Sequence, residues 1–322
     1  MKTHVALPNE QSGLLLTDGG LETTLVFHDG LDLPCFAAFV LLRTAEGRAR
    51  LRAYFDRYIE IARSAGTGFL LEGPTWRANP DWAEKLAVSR AELRALNAAS
   101  VTMMHALKAA HAGADLPIVV SGCVGPRGDG YVAGELMAPE EAEAYHREQV
   151  AVLADAGVDV VSAFTMTNTS EAIGFARAAA TVGVRSVVSY TVETDGRLPT
   201  GETLGEAIEA VDEATGGSVA YFMINCAHPT HFEHVLDPGA AWARRIRGVR
   251  ANASVRSHVE LNESTDLDAG DPVGLGSDYK ALLATLPHLR VVGGCCGTDE
   301  RHVREIAAAC AGATTPAHKL TA

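Results

Sequence analysis

Short apolar runs alternate with longer helical patterns along this chain of 322 residues, and this alternation restricts the fold more than any other feature. The runs are rich in valine, isoleucine and leucine and have the length of strands. Eight such runs occur, at 14–17, 68–72, 117–121, 158–162, 186–190, 219–224, 246–252 and 289–292. Because each run is apolar on both faces and helical patterns fill the gaps, the sequence predicts an α/β fold, a parallel (β/α)8 TIM barrel in a single domain.

Three of the helical patterns have recognisable ends. The pattern over 82–111 contains no glycine or proline, and its length fits one long helix or two segments. A second pattern begins at Pro139 and ends at a glycine stop, Gly157. A third begins at Thr203, a residue type that favours the start of a helix.

The alternation of strand-like runs and helical patterns also fits a second fold, a doubly wound open sheet. Gly19-Gly20 after the first run lacks the further glycine that a dinucleotide fingerprint requires, which disfavours this alternative. We therefore expect one barrel domain over residues 1–322, of which 313–322 form a frayed tail.

The composition excludes several classes of partner. The formal net charge of −13 argues against nucleic acid, because phosphate binding requires clustered lysine and arginine. The N-terminal segment lacks the apolar core of a signal peptide, and no run approaches the roughly 18 residues of a membrane span. Six cysteines, two of them adjacent, do not resemble a secreted disulfide framework. We expect a cytoplasmic protein with reduced thiols and no membrane partner.

Three cysteines follow two of the predicted strands. Cys226 follows the sixth strand, and Cys295 and Cys296 lie in the glycine-rich turn 293–298 after the eighth. The glycines of this turn permit the backbone conformations that let neighbouring cysteines face one ion. Zinc binds thiolates readily, and three protein ligands leave the fourth position open for a substrate. The pattern predicts a catalytic metal site; the alternatives are buried free cysteines and a vicinal disulfide.

Other polar residues also gather where the predicted strands end, which is the end of a (β/α)8 barrel that carries the active site. Asp18 and Glu22 follow the first strand, and Thr165 follows the fourth. Cys123 follows the third strand and could line the same mouth. Cysteines from strands six and eight are therefore expected to converge within a polar opening.

Three motifs together resemble the zinc-dependent homocysteine S-methyltransferases, which include betaine- and S-methylmethionine-using enzymes. The motifs are Asp18-Gly19-Gly20, Asn225-Cys226 and Gly293-Gly294-Cys295-Cys296-Gly297, and the resemblance covers most of the chain. It implies that the three cysteines bind Zn²⁺ and that the thiol of homocysteine takes the fourth position. In related enzymes a protein oxygen fills this position without substrate, and Asn262 is the candidate here.

The resemblance implies methyl transfer from a small onium donor to the zinc-bound thiolate of homocysteine, which gives methionine. S-methylmethionine, S-adenosylmethionine and betaine are such donors. A metal-bound thiol is deprotonated at neutral pH, which makes it the nucleophile. Aromatic faces suit a cationic donor, and Trp76, Phe164 and Tyr190 are candidates. The predicted substrate-binding residues are Asp18, Glu22, Thr75, Trp76, Thr165, Asn225 and Asn262.

One position departs from the resemblance. Phe164 follows the fourth strand where many members of the family carry an acid that holds the homocysteine amine. Either Glu72, Glu171 or Glu193 replaces this contact, or the acceptor is another small thiol. A further alternative is a non-catalytic structural or redox zinc site in a ligand-binding barrel. The sequence leaves open the methyl donor and homo-oligomerisation.

Overall fold

Eight parallel strands close into a barrel in this computed structural model, which describes residues 5–8, 10, 13–113 and 116–310. The strands follow one another around the barrel in chain order, so the predicted (β/α)8 fold is confirmed. They are β1 (Leu15–Leu16), β2 (Gly68–Glu72), β3 (Ile118–Val124), β4 (Val160–Met166), β5 (Ser186–Tyr190), β6 (Val219–Asn225), β7 (Ile246–Ala251) and β8 (Val291–Gly294). The predicted tail, 313–322, lies outside the described residues.

Helices connect the strands. They are α1 (Leu21–Thr23), α2 (Ala45–Ala65), α3 (Pro80–Lys85), α4 (Arg90–Ala110), α5 (Pro139–Ala156), α6 (Thr169–Val182), α7 (Leu204–Thr215), α8 (Pro229–Phe232), α9 (His258–Glu263), α10 (Pro272–Thr285) and α11 (Glu300–Cys310). Within the described ranges, none of these helices is long and apolar enough to cross a bilayer.

The pattern predicted over 82–111 forms two helices rather than one. The break lies at Ala87, whose φ of 50° is left-handed. Ser89 then begins α4, because its side chain accepts a hydrogen bond from the backbone nitrogen of Glu92 at 3.2 Å. The predicted start of α7 is confirmed, since Thr203 and Glu206 form a capping box there.

Four strands extend further toward the functional end of the barrel than predicted. The runs over 117–121, 158–162, 219–224 and 289–292 become Ile118–Val124, Val160–Met166, Val219–Asn225 and Val291–Gly294. In β8 the reason is pairing, since Gly293 and Gly294 align with the last residues of β7 although glycine has low strand propensity. The first strand is shorter than predicted, with Leu15–Leu16 in place of 14–17.

The barrel interior changes from apolar to polar along the strands. A buried apolar cluster fills its lower part, and its members are Leu7, Leu15, Leu70, Val119, Cys123, Val160, Phe164, Val187, Tyr221, Met223 and Val291. Because side chains alternate across a strand, the residue two positions after Leu70 also points inward, and that residue is Glu72. The same step after Val119 and Val160 leads to Ser121 and Ser162. Polar side chains therefore lie between the apolar cluster and the mouth.

Candidate active site

Three cysteine side chains meet at the C-terminal mouth of the barrel. Cys226 directly follows β6, and Cys295 and Cys296 directly follow β8. Their Sγ atoms all lie within 4.8 Å of one another, and those of Cys226 and Cys296 are 3.8 Å apart. Sulfur atoms this close fit the thiolate ligands of a single tetrahedral metal ion. The structure thus brings together the three residues that the sequence predicted.

Cys226 and Cys295 are joined through a disulfide, whereas Cys296 is a free thiol. The structure thus pairs two of the thiols that were expected to be reduced, and the pair differs from the vicinal disulfide that was the alternative. The physical reason is convergence, because side chains that face one point bring their sulfur atoms within bonding reach. Reduction of the disulfide returns three thiols that can act as metal ligands.

The backbone at the mouth adopts conformations that side chains other than glycine rarely take. Thr165 has a φ of 61° and Cys226 a φ of 55°, both in the left-handed region. Asn225 fixes the first of these, because Thr165 N donates to its Oδ1 at 2.9 Å and its Nδ2 donates to Thr165 Oγ1 at 2.9 Å. Such strain persists where surrounding contacts determine the conformation, which is typical of functional sites.

Hydrogen bonds from the connections that follow β3 and β7 hold the cysteines. Asn252 Nδ2 donates to the carbonyl oxygen of Cys226 at 3.0 Å, and His258 Nε2 lies 2.7 Å from the same oxygen. The hydroxyl group of Tyr131 donates to Cys296 Sγ at 3.1 Å, and its ring stacks on His258 with centroids 4.2 Å apart. These contacts orient the sulfur atoms toward their common point.

A cavity of about 430 Å³ opens beside the cysteines. Of the predicted substrate-binding residues, those that line it are Asp18, Glu22, Trp76, Thr165, Asn225 and Asn262. Thr75 does not belong to the lining that the described residues form. It is fully buried, and its hydroxyl group donates to the carbonyl oxygen of Cys123 at 2.6 Å.

A buried ion pair forms part of the cavity wall. Arg250 Nη2 donates to Asp18 Oδ1 at 2.7 Å, and Tyr54 donates to Asp18 Oδ2 at 3.0 Å. Arg250 Nε also donates to the carbonyl oxygen of Gly294 at 3.0 Å, and Gly294 directly precedes the adjacent cysteines Cys295 and Cys296. Burial raises the pKa of Asp18, and the neighbouring guanidinium opposes this shift. The pair therefore links β1, β7 and the cysteine-bearing turn.

The sequence of the chain assigns it to a family. Residues 15–310 match the family model described as homocysteine S-methyltransferase. The chain belongs to the homocysteine S-methyltransferase family. This membership makes the protein a methyltransferase, as the sequence predicted.

Two relatives illustrate the range of similarity. Homocysteine S-methyltransferase 4 from Zea mays is 26% identical over 318 residues, which cover 93% of this chain and 90% of that protein. Methionine synthase from Mycobacterium tuberculosis is 31% identical over 143 residues, which cover 41% of this chain and 10% of that protein. The first similarity extends over nearly the whole barrel, whereas the second is confined to a small part of a much longer protein.

Two solved structures share the fold. The homocysteine methyltransferase MmuM from Escherichia coli in its oxidized form has a TM-score of 0.73 at 22% identity, covering 94% of this chain and 98% of that one. The metallated form of the same protein has a TM-score of 0.71 at 21% identity, covering 93% and 97%. These likenesses support the barrel fold of the chain.

Two of the aromatic rings that were predicted to bind a cationic donor contact an arginine side chain of the protein itself. The guanidinium of Arg77 lies 4.1 Å from the ring centroid of Trp76, and that of Arg250 lies 5.2 Å from the ring centroid of Phe164. Tyr190 is fully buried and belongs to the outer core rather than to the cavity lining among the described residues.

Several residues of the site were not predicted. A charged residue within an apolar run is a signal that could have revealed Arg250 in the run 246–252. Tyr131 and His258 lie in segments without a strand-end signal, and their roles follow from contacts with distant residues. His228, which follows Cys226 closely, caps α8 through Thr230 N rather than joining the cysteine cluster.

The cavity of this methyltransferase is acidic. Its lining contains two arginines, Arg77 and Arg250, and six acids, namely Asp18, Glu22, Glu72, Asp129, Asp266 and Asp268. Burial raises the pKa of Glu22 and of Glu72 from 4.5 to about 7 in each case. An acidic lining attracts a ligand that carries positive charge.

Glu72→Gln is expected to stabilise the ligand-free protein at pH 8. The pKa of Glu72 rises from 4.5 to about 7 on folding, so between these values the folded state binds a proton that the unfolded chain releases. The unfolding free energy of the wild type therefore falls as pH rises through this window, and glutamine removes this contribution. We expect a gain of about 2–3 kcal/mol at pH 8 and little gain at pH 4.

Urea unfolding of both proteins across this pH range measures the effect. Glu84→Gln is the matched control, since it changes an exposed carboxylate on α3. If the unfolding free energies of the wild type and the Glu72→Gln protein depend on pH in the same way, the ionised Glu72 carboxylate does not destabilise the folded state.

Proposed function

We propose that this protein is a zinc-dependent S-methyltransferase that moves a methyl group from a small onium donor to the thiol of homocysteine and forms methionine. The observation that carries the proposal is the convergence of three cysteine sulfurs, within 4.8 Å of one another, at the edge of an acidic cavity. Membership in the homocysteine S-methyltransferase family supports the acceptor. The fold shared with a protein that was solved in a metallated form supports the metal.

The donor set fits zinc better than it fits other common ions. Thiolate ligands favour zinc over magnesium, calcium or manganese, which prefer oxygen. Cys226, Cys295 and Cys296 would hold the ion once the disulfide is reduced. A bound Zn²⁺ lowers the pKa of a coordinated thiol and so supplies a thiolate acceptor at neutral pH. Because the ligands must stay reduced, the proposal places the protein in the cytoplasm.

The remaining residues orient the reactants. Asn252 and His258 fix the backbone of Cys226 through its carbonyl oxygen, and Tyr131 covers Cys296 from the loop after β3. Tyr131 thereby limits the access of water to the sulfur atoms. The acidic lining favours a donor that arrives positively charged, and a sulfonium or quaternary ammonium donor leaves neutral after transfer. Loss of this charge weakens the attraction and assists product release.

Zinc-edge absorption spectroscopy of the reduced, zinc-loaded protein tests the proposal. Three sulfur ligands are expected without substrate and four with homocysteine. Homoserine, which carries a hydroxyl in place of the thiol, is the matched control and should leave the sulfur count at three. Methionine formation with S-methylmethionine, S-adenosylmethionine or betaine then identifies the donor. An unchanged sulfur count with homocysteine would instead favour a structural zinc site or a different acceptor.

A further inference from the structure

Glu72 is a buried carboxylate on the inner face of the barrel. It ends β2, is only 4% exposed and forms part of the cavity lining. Neither of its carboxylate oxygens forms a hydrogen bond of normal geometry among the described residues, and the nearby hydroxyl groups of Ser121 and Ser162 oppose the rise of its pKa without cancelling it. The nearby hydroxyl groups of Ser121 and Ser162 lie 2.7 Å apart and bond to each other. A buried carboxylate without a partner costs free energy, so its retention requires an explanation.

Other acids of the cavity have partners within the protein. Asp18 accepts hydrogen bonds from Arg250 and Tyr54. Asp129 accepts from Tyr131 N at 2.8 Å, and Asp268 accepts from the hydroxyl group of Ser254 at 2.7 Å.

Two of the remaining acids are more accessible to water. Asp266 is exposed, and Glu22 is partly exposed although burial also raises the pKa of its carboxyl group, whereas Glu72 is 4% exposed. Glu72 therefore combines deep burial with two unsatisfied oxygens inside the cavity, and it is the acid of this lining that most needs a positive ligand group.

The two other acids that the sequence offered as a replacement at Phe164 are engaged elsewhere. Glu171 accepts from Arg127 N at 2.7 Å and lies 2.9 Å from His146 Nε2. Glu193 lies 3.3 Å from His258 Nδ1 with a side chain that is 36% exposed. Neither belongs to the cavity lining among the described residues, whereas Glu72 does.

The barrel places Glu72 across the cavity from the first cysteine. Because the order of the closed sheet is β1 to β8, β2 lies opposite β6, whose end carries Cys226. A small thiol with its sulfur at the cysteines can therefore extend its other end toward β2. An ammonium group at that end would meet the two free oxygens of Glu72, and a charge-assisted hydrogen bond there would offset the cost of burial.

We propose that Glu72 binds the α-ammonium group of an amino-acid thiol acceptor and sets the preference of the site for amino acids over simple thiols. This inference rests on the proposed function, since it assumes that the acceptor sulfur binds at the cysteines. The pKa of the carboxyl group, raised to about 7 by burial, agrees with a site that lacks its cation until the ligand arrives.

Isothermal titration calorimetry of the reduced, zinc-loaded protein at pH 8 tests this role. The ligands are homocysteine and 4-mercaptobutanoate, which is the same thiol acid without the amino group. The wild type is expected to bind homocysteine about 10- to 100-fold more tightly, as expected for a hydrogen bond to a charged group. Glu72→Gln should weaken homocysteine binding by about this factor and leave 4-mercaptobutanoate binding unchanged.

Asp266→Asn is the matched control, because it removes the charge of another acid that lines the same cavity but is exposed. The inference is overturned if Glu72→Gln keeps the preference for homocysteine, if Asp266→Asn loses it instead, or if the wild type binds both thiols equally. If the wild type binds neither thiol, the proposed function fails rather than the assignment of Glu72 alone.

Circular dichroism of each variant verifies folding. Should Glu72→Gln not fold, Glu72→Asp provides the test, since it keeps the charge but withdraws the carboxylate by one methylene group. It is expected to weaken the binding of homocysteine while the binding of 4-mercaptobutanoate stays constant. Equal effects on both ligands would contradict an ammonium contact.

Discussion

Cys296→Ala is expected to release the metal and to reduce methyl transfer to the background rate, while the barrel remains folded. Cys296 Sγ lies 3.8 Å from Cys226 Sγ, and its side chain is at the mouth of the barrel rather than in the packed core. Two sulfur ligands bind zinc far more weakly than three, and a free alkyl thiol with a pKa near 8.5 is largely protonated at neutral pH. We expect a loss of about 1000-fold in kcat/KM, since a metal that activates the nucleophile lowers the barrier by several kcal/mol.

Zinc analysis, turnover and circular dichroism of the variant measure these outcomes together. Cys310→Ala is the matched control, because Cys310 is a buried cysteine on α11 outside the cluster. This control should keep its zinc and its activity, with a modest loss of stability of about 1 kcal/mol. Full activity in a zinc-free Cys296→Ala protein would refute metal-assisted transfer.

The strand order could be predicted because each strand corresponds to one apolar run and a helical pattern separates each run from the next. The ends of elements were harder to place, since they depend on distant partners. β8 continues through Gly293 and Gly294 because β7 pairs with them. No glycine or proline marks the break between α3 and α4 at Ala87. The sequence feature that could have predicted this break is Ser89, whose side chain caps α4.

The cysteine site could be predicted because its residues lie in two short motifs at strand ends. The groups that support it could not, because their contacts span the chain. Arg250 and Asp18 are 232 residues apart in sequence yet form one ion pair. The position of Thr75 after β2 predicted a substrate contact, whereas its hydroxyl group donates to the backbone of β3 and its side chain lies outside the described cavity lining.

Arg250→Met is expected to destabilise the protein strongly. The ion pair of Arg250 and Asp18 is deeply buried, with side chains 10% and 5% exposed, so its removal leaves a carboxylate with Tyr54 as its remaining hydrogen-bond donor. Breaking a buried pair by removing one partner costs about 3–5 kcal/mol. Arg43→Met is the control, since Arg43 pairs with Glu92 on the surface and its loss should change the melting temperature little.

The pH dependence distinguishes loss of the ion pair from loss of packing. Without Arg250, the hydrogen bonds from Tyr54 and the backbone oppose the effect of burial on Asp18 less strongly, so the pKa of Asp18 in the folded state rises further above the unfolded value. The unfolding free energy of the Arg250→Met protein should then fall as pH rises from the unfolded pKa to the folded pKa, and its deficit should be smaller at pH 5 than at pH 8. Adding Asp18→Asn removes the unpaired charge and should recover part of the loss, by about 2 kcal/mol at pH 8. Urea unfolding of the wild type, the two single variants and the double variant measures the coupling free energy between the two side chains. If the deficit of the Arg250→Met protein is equal at both pH values and Asp18→Asn does not relieve it, Arg250 contributes through packing rather than through charge.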